Sequence, residues 1–351
     1  MVPVLIAGLL AMVAAVVIGP KFIETLRARN LGQQIRAEGP AAHVVKQGTP
    51  TMGGLLIVGS AVLPFLAIAG IAWLRSGTPG DRSEAYLDLA TLAAALIGGT
   101  IGFTDDYLKL RQGHSLGLPG RWKMVLLGAV TVGAATLLQE TQSFTTSIYV
   151  PLAGWNIDLG PFFYVFLFLV IAGTVNGANL TDGIDGLAAG TAMIMLLTFL
   201  AIAGISWLRS GTPGDRSEAY LDLATLAAAL IGGTIGFLWY NAHPAEVFMG
   251  DTGSMALGGA IAGLAIVTRT EILLLLIGGI FVIEVLSLMI QVVSFKRTGR
   301  RVFLMAPIHH HFEMKAWSET KVMVRFWIVC AILCASGFAL FYRDFLQFVE
   351  P

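Results

Sequence analysis

VPVLIAGLLAMVAAVVIG, residues 2–19, runs for eighteen residues without a charge. The hydrocarbon core of a bilayer is about 30 Å thick and takes about 20 mostly apolar residues per crossing helix, so this run reads as a membrane span. No basic residue precedes it, while Lys21, Arg27 and Arg29 follow. That order predicts a retained helix with its N-terminus outside rather than a cleaved signal. Nine further runs of the same kind lie at about 52–74, 86–103, 123–138, 161–179, 186–208, 220–240, 255–268, 271–295 and 324–342. The expected fold is an all-α polytopic membrane protein of about ten transmembrane helices, built as one domain over residues 1–351.

Composition agrees. Of the 351 residues 56% are hydrophobic and only 13% charged, with mean hydropathy +0.77. A soluble chain carries about 25% charged residues, so a soluble enzyme, a nucleic-acid binder and a disordered chain are all excluded. Lys+Arg and Asp+Glu balance at 22 each, which gives no sign of a polyanionic partner. Cys330 and Cys334 share one helical face in an apolar run and read as small buried hydrophobes.

Basic residues set the orientation. With the N-terminus outside, the inside segments are about 20–51, 104–122, 180–185, 241–254 and 296–323. With the edge residues Lys123 and Arg325 they hold 16 of the 22 Lys and Arg. Both termini then lie outside, and the polar clusters lie inside. One internal repeat interrupts this regularity: residues 65–103 and 199–237 match at 38 of 39 positions, differing only at Ala72 and Ser206. Natural repeats in membrane proteins are weakly similar, so near-identity with unmatched flanks marks a recent conversion or an artefact of assembly, and no function is read from it.

Four inside segments carry chemistry. GFTDDYLKL (102–110) ends the third span with Asp105, Asp106 and Lys109. Asp105 and Lys109, four apart, share a helix face. Adjacent carboxylates at a membrane exit are expensive unless they hold a cation or move protons; the plainer reading is a solvated helix end with an ion pair. NGANLTDGIDGLA (176–188) sets Asn176, Asn179, Asp182 and Asp185 in a short glycine-bent loop with no basic partner nearby in sequence. Such oxygen donors suit a hard divalent cation or a cation on phosphate, or an Asx-turn cap.

WYNAHPAEVFMGDTGSMALGG (239–259) offers Asn241, Phe248, Asp251 and Ser254. Asp251 is either a helix-start residue or a metal ligand, and Phe248 either an interface anchor or a base-stacking platform. RRVFLMAPIHHHFEMKAW (300–317) holds His309, His310 and His311 between cations. Anion binding with proton transfer, a metal site and a solvated loop all fit three consecutive histidines. The preceding SFKRTGRR (294–301) carries four cations suited to anionic headgroups or a diphosphate.

Together the DDYxK, NLTDGxDGL, NxxPAxVFMGDxGS and PIHHHxE runs resemble the phospho-MurNAc-pentapeptide transferases of bacterial peptidoglycan synthesis, within the polyprenyl-phosphate N-acetylhexosamine-1-phosphate transferase superfamily. TPTMGGL (49–55) with the preceding Lys46, and the residues around Glu284, extend the likeness over about residues 20–327. The resemblance implies transfer of phospho-MurNAc-pentapeptide from UDP-MurNAc-pentapeptide to undecaprenyl phosphate. The products would be lipid I and UMP, made with Mg²⁺ on the cytoplasmic face of the bacterial inner membrane by a homodimer.

By the same resemblance, Asp105 is the candidate nucleophile or base, with Asp106 and Lys109 beside it. Asp251 would be the Mg²⁺ ligand, joined by Asp182. Asn179, Asp182 and Asp185 would hold nucleotide and metal, and Phe248 would stack on uracil. Asn241, Ser254 and Gln291 would line the same cleft, while His310 and His311, with His309, would bind the donor phosphates or sugar. Lys123, in the GRWK run, matches another basic position of the family. A sister enzyme moving GlcNAc-1-phosphate would be expected to lack PIHHHFE. A secondary transporter would carry its charges in mid-membrane, whereas here Glu284 is the main mid-span acid.

Overall fold

The computed structural model describes residues 1–29, 32, 46–75, 79–112, 117–141, 144–211 and 217–347, the side chains of 71–90, 345 and 347 excepted. Residues 30, 31 and 33–45 of the inside segment 20–51, and the tips joining the repeated helices at 76–78 and 212–216, lie outside the described residues. The elements in order are α1 (Val2–Ala28), α2 (Gly54–Arg75), α3 (Pro79–Gln112), α4 (Gly120–Gln139), β1 (Ser147–Val150), β2 (Trp155–Asp158), α5 (Phe162–Thr181), α6 (Leu187–Arg209), α7 (Glu218–Asn241), α8 (Gly250–Val267), α9 (Glu271–Ile277), α10 (Gly279–Thr298), α11 (Ile308–Met314) and α12 (Glu319–Gln347).

Each of the ten apolar runs falls on helix. Among the described residues eight helices are long and apolar enough to cross a membrane, and α2 adds a shorter apolar stretch, Gly54–Gly70. The protein is a multi-pass membrane protein. The bundle is centred on α8, which is almost wholly buried and packs on α3, α5, α2 and α6, while α1, α10 and α12 leave most of their surface to the outside. An apolar ring around a buried, glycine-rich helix is the expected solution in lipid, where close backbone contact replaces the hydrophobic effect between helices. A Cβ on Gly98 or Gly102 of α3 would strike the backbone of Met255 or Asp251 in α8, so the two helices meet at glycine distance.

Three features differ from the sequence reading. The chain is not wholly α: β1 and β2 pair antiparallel, Ser147 opposite Asp158 and Val150 opposite Trp155, around a turn that places Leu152 and Gly154 at positive φ. SIYV and WNID are short strands rich in β-branched and aromatic residues, and a count of apolar spans passes over them. The run 271–295 is two helices, broken at Gly278–Gly279, where no side chain reinforces the helix. The short run 255–268 gains a full turn at its start, because α8 begins at Gly250.

The two repeat copies form helices in the same order but bury different faces. Ile101 is 3% exposed and its counterpart Ile235 40%; Phe103 is 38% exposed and Phe237 0%. The first copy places α3 against α8 and α4, the second places α7 among α1, α2 and α6. A helix apolar all round can serve both settings.

Candidate active site

The last turns of α3 bring Asp105, Asp106 and Lys109 to the end of the bundle where α4 and α8 begin. Asp105 is buried. Its Oδ1 accepts the Leu118 backbone N–H at 2.6 Å and lies 3.1 Å from Lys123 Nζ. Its Oδ2 is 2.5 Å from Lys109 Nζ but has no partner with hydrogen-bonding geometry. Gly117 permits this approach, since a Cβ there would run into the Asp105 carboxylate.

Asp106 faces the other way. It accepts the N–H of Asp251 at 3.1 Å, the N–H of Thr252 at 2.9 Å and the Thr252 hydroxyl at 2.7 Å. A helix N-terminus leaves donors free and carries partial positive charge, so Asp106 caps α8 from a neighbouring helix. The chain enters that N-terminus through Gly250 at φ +72°, where a Cβ would crowd Asp106 and Thr51. Asp251 then projects back toward α3, its Oδ1 3.1 Å from Lys109 Nζ and its Oδ2 2.6 Å from Lys123 Nζ. Oxygens of Asp105, Asp106 and Asp251 lie within 4.8 Å of one another. Three carboxylates against two ammoniums leave one net negative charge, and an all-oxygen donor set of this kind suits a hard divalent cation.

A second cluster adjoins the first through the α5–α6 turn. Asp182, half-buried, is pushed up to about 8 by burial and then by the carboxylates of Asp251, Asp106 and Asp185. Asp185 does have a basic partner, contrary to its local sequence. Lys46 Nζ lies 2.8 Å from Oδ1, and Oδ2 takes the Ala245 N–H at 3.1 Å with His243 Nδ1 also at 3.1 Å. Lys46 further pairs with Glu319. Asn179 donates to Ser254 Oγ at 3.1 Å. Asn241 is buried between loops, accepting from Gly186 N–H at 3.0 Å and donating to Val247 C=O at 2.9 Å. Half-buried Phe248 is held by its backbone, donating to Pro50 C=O and accepting from Gly53 N–H, both at 2.8 Å.

The histidine run forms α11. His309 is buried and lies 3.0 Å from Glu284, whose second oxygen takes the Ile308 N–H at 3.0 Å. His310 faces Glu313 at 2.6 Å. His311 Nδ1 accepts the Leu304 N–H at 3.1 Å, and burial followed by the Lys315 charge lowers its pKa. Gln291 accepts from the Val302 and Phe303 N–H groups and donates to Phe303 C=O, each at 3.0 Å. Its amide therefore clamps the loop ahead of α11, and the structure does not engage it with the carboxylate cluster.

Thus Asp105, Asp106, Lys109, Lys123 and Asp251 come into direct contact. Asn179, Asp182 and Ser254 border them, Asp185 stands beyond Asp182 with Lys46 and His243, and Asn241, Gln291 and His309 hold loops in place. Sequence reading had no signal for Glu319, which reaches Lys46 across 273 positions, or for His243 and Thr252 as partners of motif acids.

A family model described as Glycosyl transferase family 4 matches residues 89–269, and one described as Phospho-N-acetylmuramoyl-pentapeptide-transferase signature 1 matches residues 46–58. The chain is similar to curated proteins named phospho-N-acetylmuramoyl-pentapeptide-transferase. It is 44% identical to that of Corynebacterium jeikeium over 99% of both chains, and 46% identical to that of Rubrobacter xylanophilus over 97% of this chain and 98% of the relative. To that of Geobacillus kaustophilus it is 43% identical over 95% of this chain and 96% of the relative.

Proposed function

This chain belongs to the phospho-N-acetylmuramoyl-pentapeptide-transferase family, and from that premise we infer how its clustered motifs divide the work. The protein transfers phospho-MurNAc-pentapeptide from UDP-MurNAc-pentapeptide to undecaprenyl phosphate, giving lipid I and UMP. The observation that carries the assignment of roles is the contact of Asp105 and Asp251 with both Lys109 and Lys123 at one end of the bundle.

Donor and acceptor are both anionic, so their meeting needs positive charge. Mg²⁺ is the ion this reading assigns to Asp251 and Asp182, where it would neutralise the donor diphosphate and the departing UMP. Lys109 and Lys123 hold the Asp105 and Asp251 carboxylates in place and lower the charge that an incoming phosphate meets. Asp106 fixes Asp251 by capping α8. Asp105 stands at the inner end of its span, where a lipid phosphate arrives, as base for direct attack or as covalent nucleophile. Stoichiometric UMP release without lipid acceptor marks the covalent route, and none marks direct attack. Asn179, Asp185, Ser254 and Phe248 form the nucleotide side, Phe248 stacking on uracil, with Asn241 setting the two loops and His310 and His311 toward the donor phosphates or sugar.

The seam between α4 and α5 suits the acceptor tail. A groove of about 440 Å³ runs along Gly128, Val132, Ala135 and Gln139 of α4 and Tyr164, Val165 and Phe168 of α5. Lys123, in the first turn of α4, lies five residues before Gly128 on the same helix. The reading places both termini in the periplasm, ten helices across the inner membrane, the site on the cytoplasmic face, and two copies in a dimer.

Donor choice tests the assignment. Detergent-purified protein is given undecaprenyl phosphate and Mg²⁺ with either UDP-MurNAc-pentapeptide or UDP-GlcNAc. UMP release from the muramyl donor alone, abolished by chelation, is expected. Release from UDP-GlcNAc would move the chain to the sister enzymes, and turnover undiminished by chelation would remove the ion from the scheme.

A further inference from the structure

Glu284 and His309 form a pair sealed from solvent, at 0% and 1% side-chain exposure. A buried ionisable pair is expensive and marks a task by default. Glu284 accepts two donors from one short segment, the Ile308 N–H and His309 Nδ1, each at 3.0 Å. Its carboxylate on α10 thereby fixes both the first turn of α11 and the plane of the imidazole. With Nδ1 turned to Glu284, Nε2 points away from it. That atom is buried and has no hydrogen-bond partner among the described residues. It abuts Gly183, where any Cβ would collide with the ring. Gly183 directly follows Asp182 in the α5–α6 turn, and the His310 ring lies beside the His309 ring, tilted at 58° with centroids 4.1 Å apart.

We propose that Glu284 and His309 are a positioning pair: Glu284 locks the imidazole, and the imidazole is the wall that sets the Asp182–Gly183 turn against the Asp251 cluster. His309 then does not touch the donor, and the donor-binding role of the histidine run falls to its neighbours. The inference rests on the transferase reading above and refines it. It also accounts for glycine at 183, since φ is not positive there and the requirement is space alone.

Two conservative substitutions separate this role from direct donor contact. Asparagine places its amide near the Nδ1 position and keeps a donor toward Glu284; glutamine places its amide near Nε2 and gives up that donor. For a positioning pair both variants lower kcat and neither raises the donor KM, since asparagine keeps the lock but withdraws the wall from Gly183, and glutamine keeps the reach but gives up the lock. In the glutamine variant kcat falls about tenfold with the donor KM within about twofold of wild type, the pattern of a lost alignment rather than lost binding.

Glu284→Gln behaves like His309→Gln, and the double variant is no worse than the poorer single one. Glutamine preserving activity while asparagine raises the donor KM about tenfold overturns the proposal in favour of donor contact by Nε2. Additive losses in the double variant also overturn it. Thermal melts of wild type, His309→Gln, Glu284→Gln and the double variant read the pair without turnover: non-additive destabilisation is expected, and additivity contradicts the pairing. A wild-type protein that fails to turn over the muramyl donor counts against the transferase reading alone, because the melting cycle still decides the pair.

Discussion

Asp106 gives α8 its cap from another helix, so losing its carboxylate removes three hydrogen bonds at once. Replacing a capping side chain by alanine costs about 0.5–2 kcal/mol, and here the loosened turn carries Asp251. Asp106→Ala should therefore lower both melting temperature and kcat, whereas Asp105→Ala should abolish turnover with a smaller effect on melting. Equal effects in the two variants would contradict the division of roles. Sequence reading put Asp105 on the face of Lys109 and turned Asp106 away from it, but nothing in DDYLK tells that Asp106 meets the N-terminus of α8. The contact of Lys46 with Asp185 was hidden for a different reason: the partners are 139 positions apart. Asp182 adds a pH dependence. Its pKa is raised to about 8 by burial and by neighbouring carboxylates. The protonated form is therefore the one the fold prefers. The stability it contributes is complete below about pH 4 and is lost as pH rises through about 8. Metal-free protein should melt lower at about pH 9 than at about pH 6 on this account, and Asp182→Asn should flatten that difference. An unaltered profile in the variant would show that Asp182 is not its source.

The repeated helices show how far an element is determined by its own sequence. Hydropathy alone sufficed to mark where helices lie, since a span needs only length and apolarity, and eight of the described helices are long and apolar enough to cross a membrane. It could not say which face of α3 or α7 would be buried, because the two carry the same residues and differ only in their neighbours. Phe237→Ala should destabilise by about 3–5 kcal/mol, the usual range for a fully buried aromatic. The matching Phe103→Ala, at a position 38% exposed, should change melting little. Comparable losses would mean that the two copies share one environment. The β1–β2 hairpin and the break at Gly278 escaped the span count because each is a short-range event of a few residues. Both are written in local chemistry, the hairpin in SIYVPLAGWNID and the break in a glycine pair.

At the scale of the molecule, the charge asymmetry that predicted one polar end is matched by a structure in which the acidic motifs do meet at one end of the bundle. The proposed orientation is checked by labelling single cysteines introduced at Leu152 in the hairpin turn and at Met314 at the end of α11. Both positions are exposed, and the native Cys330 and Cys334 are buried. In intact cells an impermeant thiol reagent should reach position 152 and should reach 314 only after lysis; the opposite pattern would invert the topology. The proposed dimer is read by native mass spectrometry of the detergent-solubilised protein, where a monomer alone would remove it from the account.

The central claim is that Asp105 and Asp251, held by Lys109 and Lys123, form the transferring centre. Its most direct test is lipid-dependent UMP release from UDP-MurNAc-pentapeptide by wild type, Asp251→Asn and Leu275→Ala, the last as a control at an exposed position of α9 beside the β1–β2 hairpin. Loss of electrostatic stabilisation at the reacting phosphates should cost Asp251→Asn at least about a hundredfold in kcat, with Leu275→Ala near wild type. An Asp251→Asn protein that releases UMP at the wild-type rate would place the chemistry elsewhere.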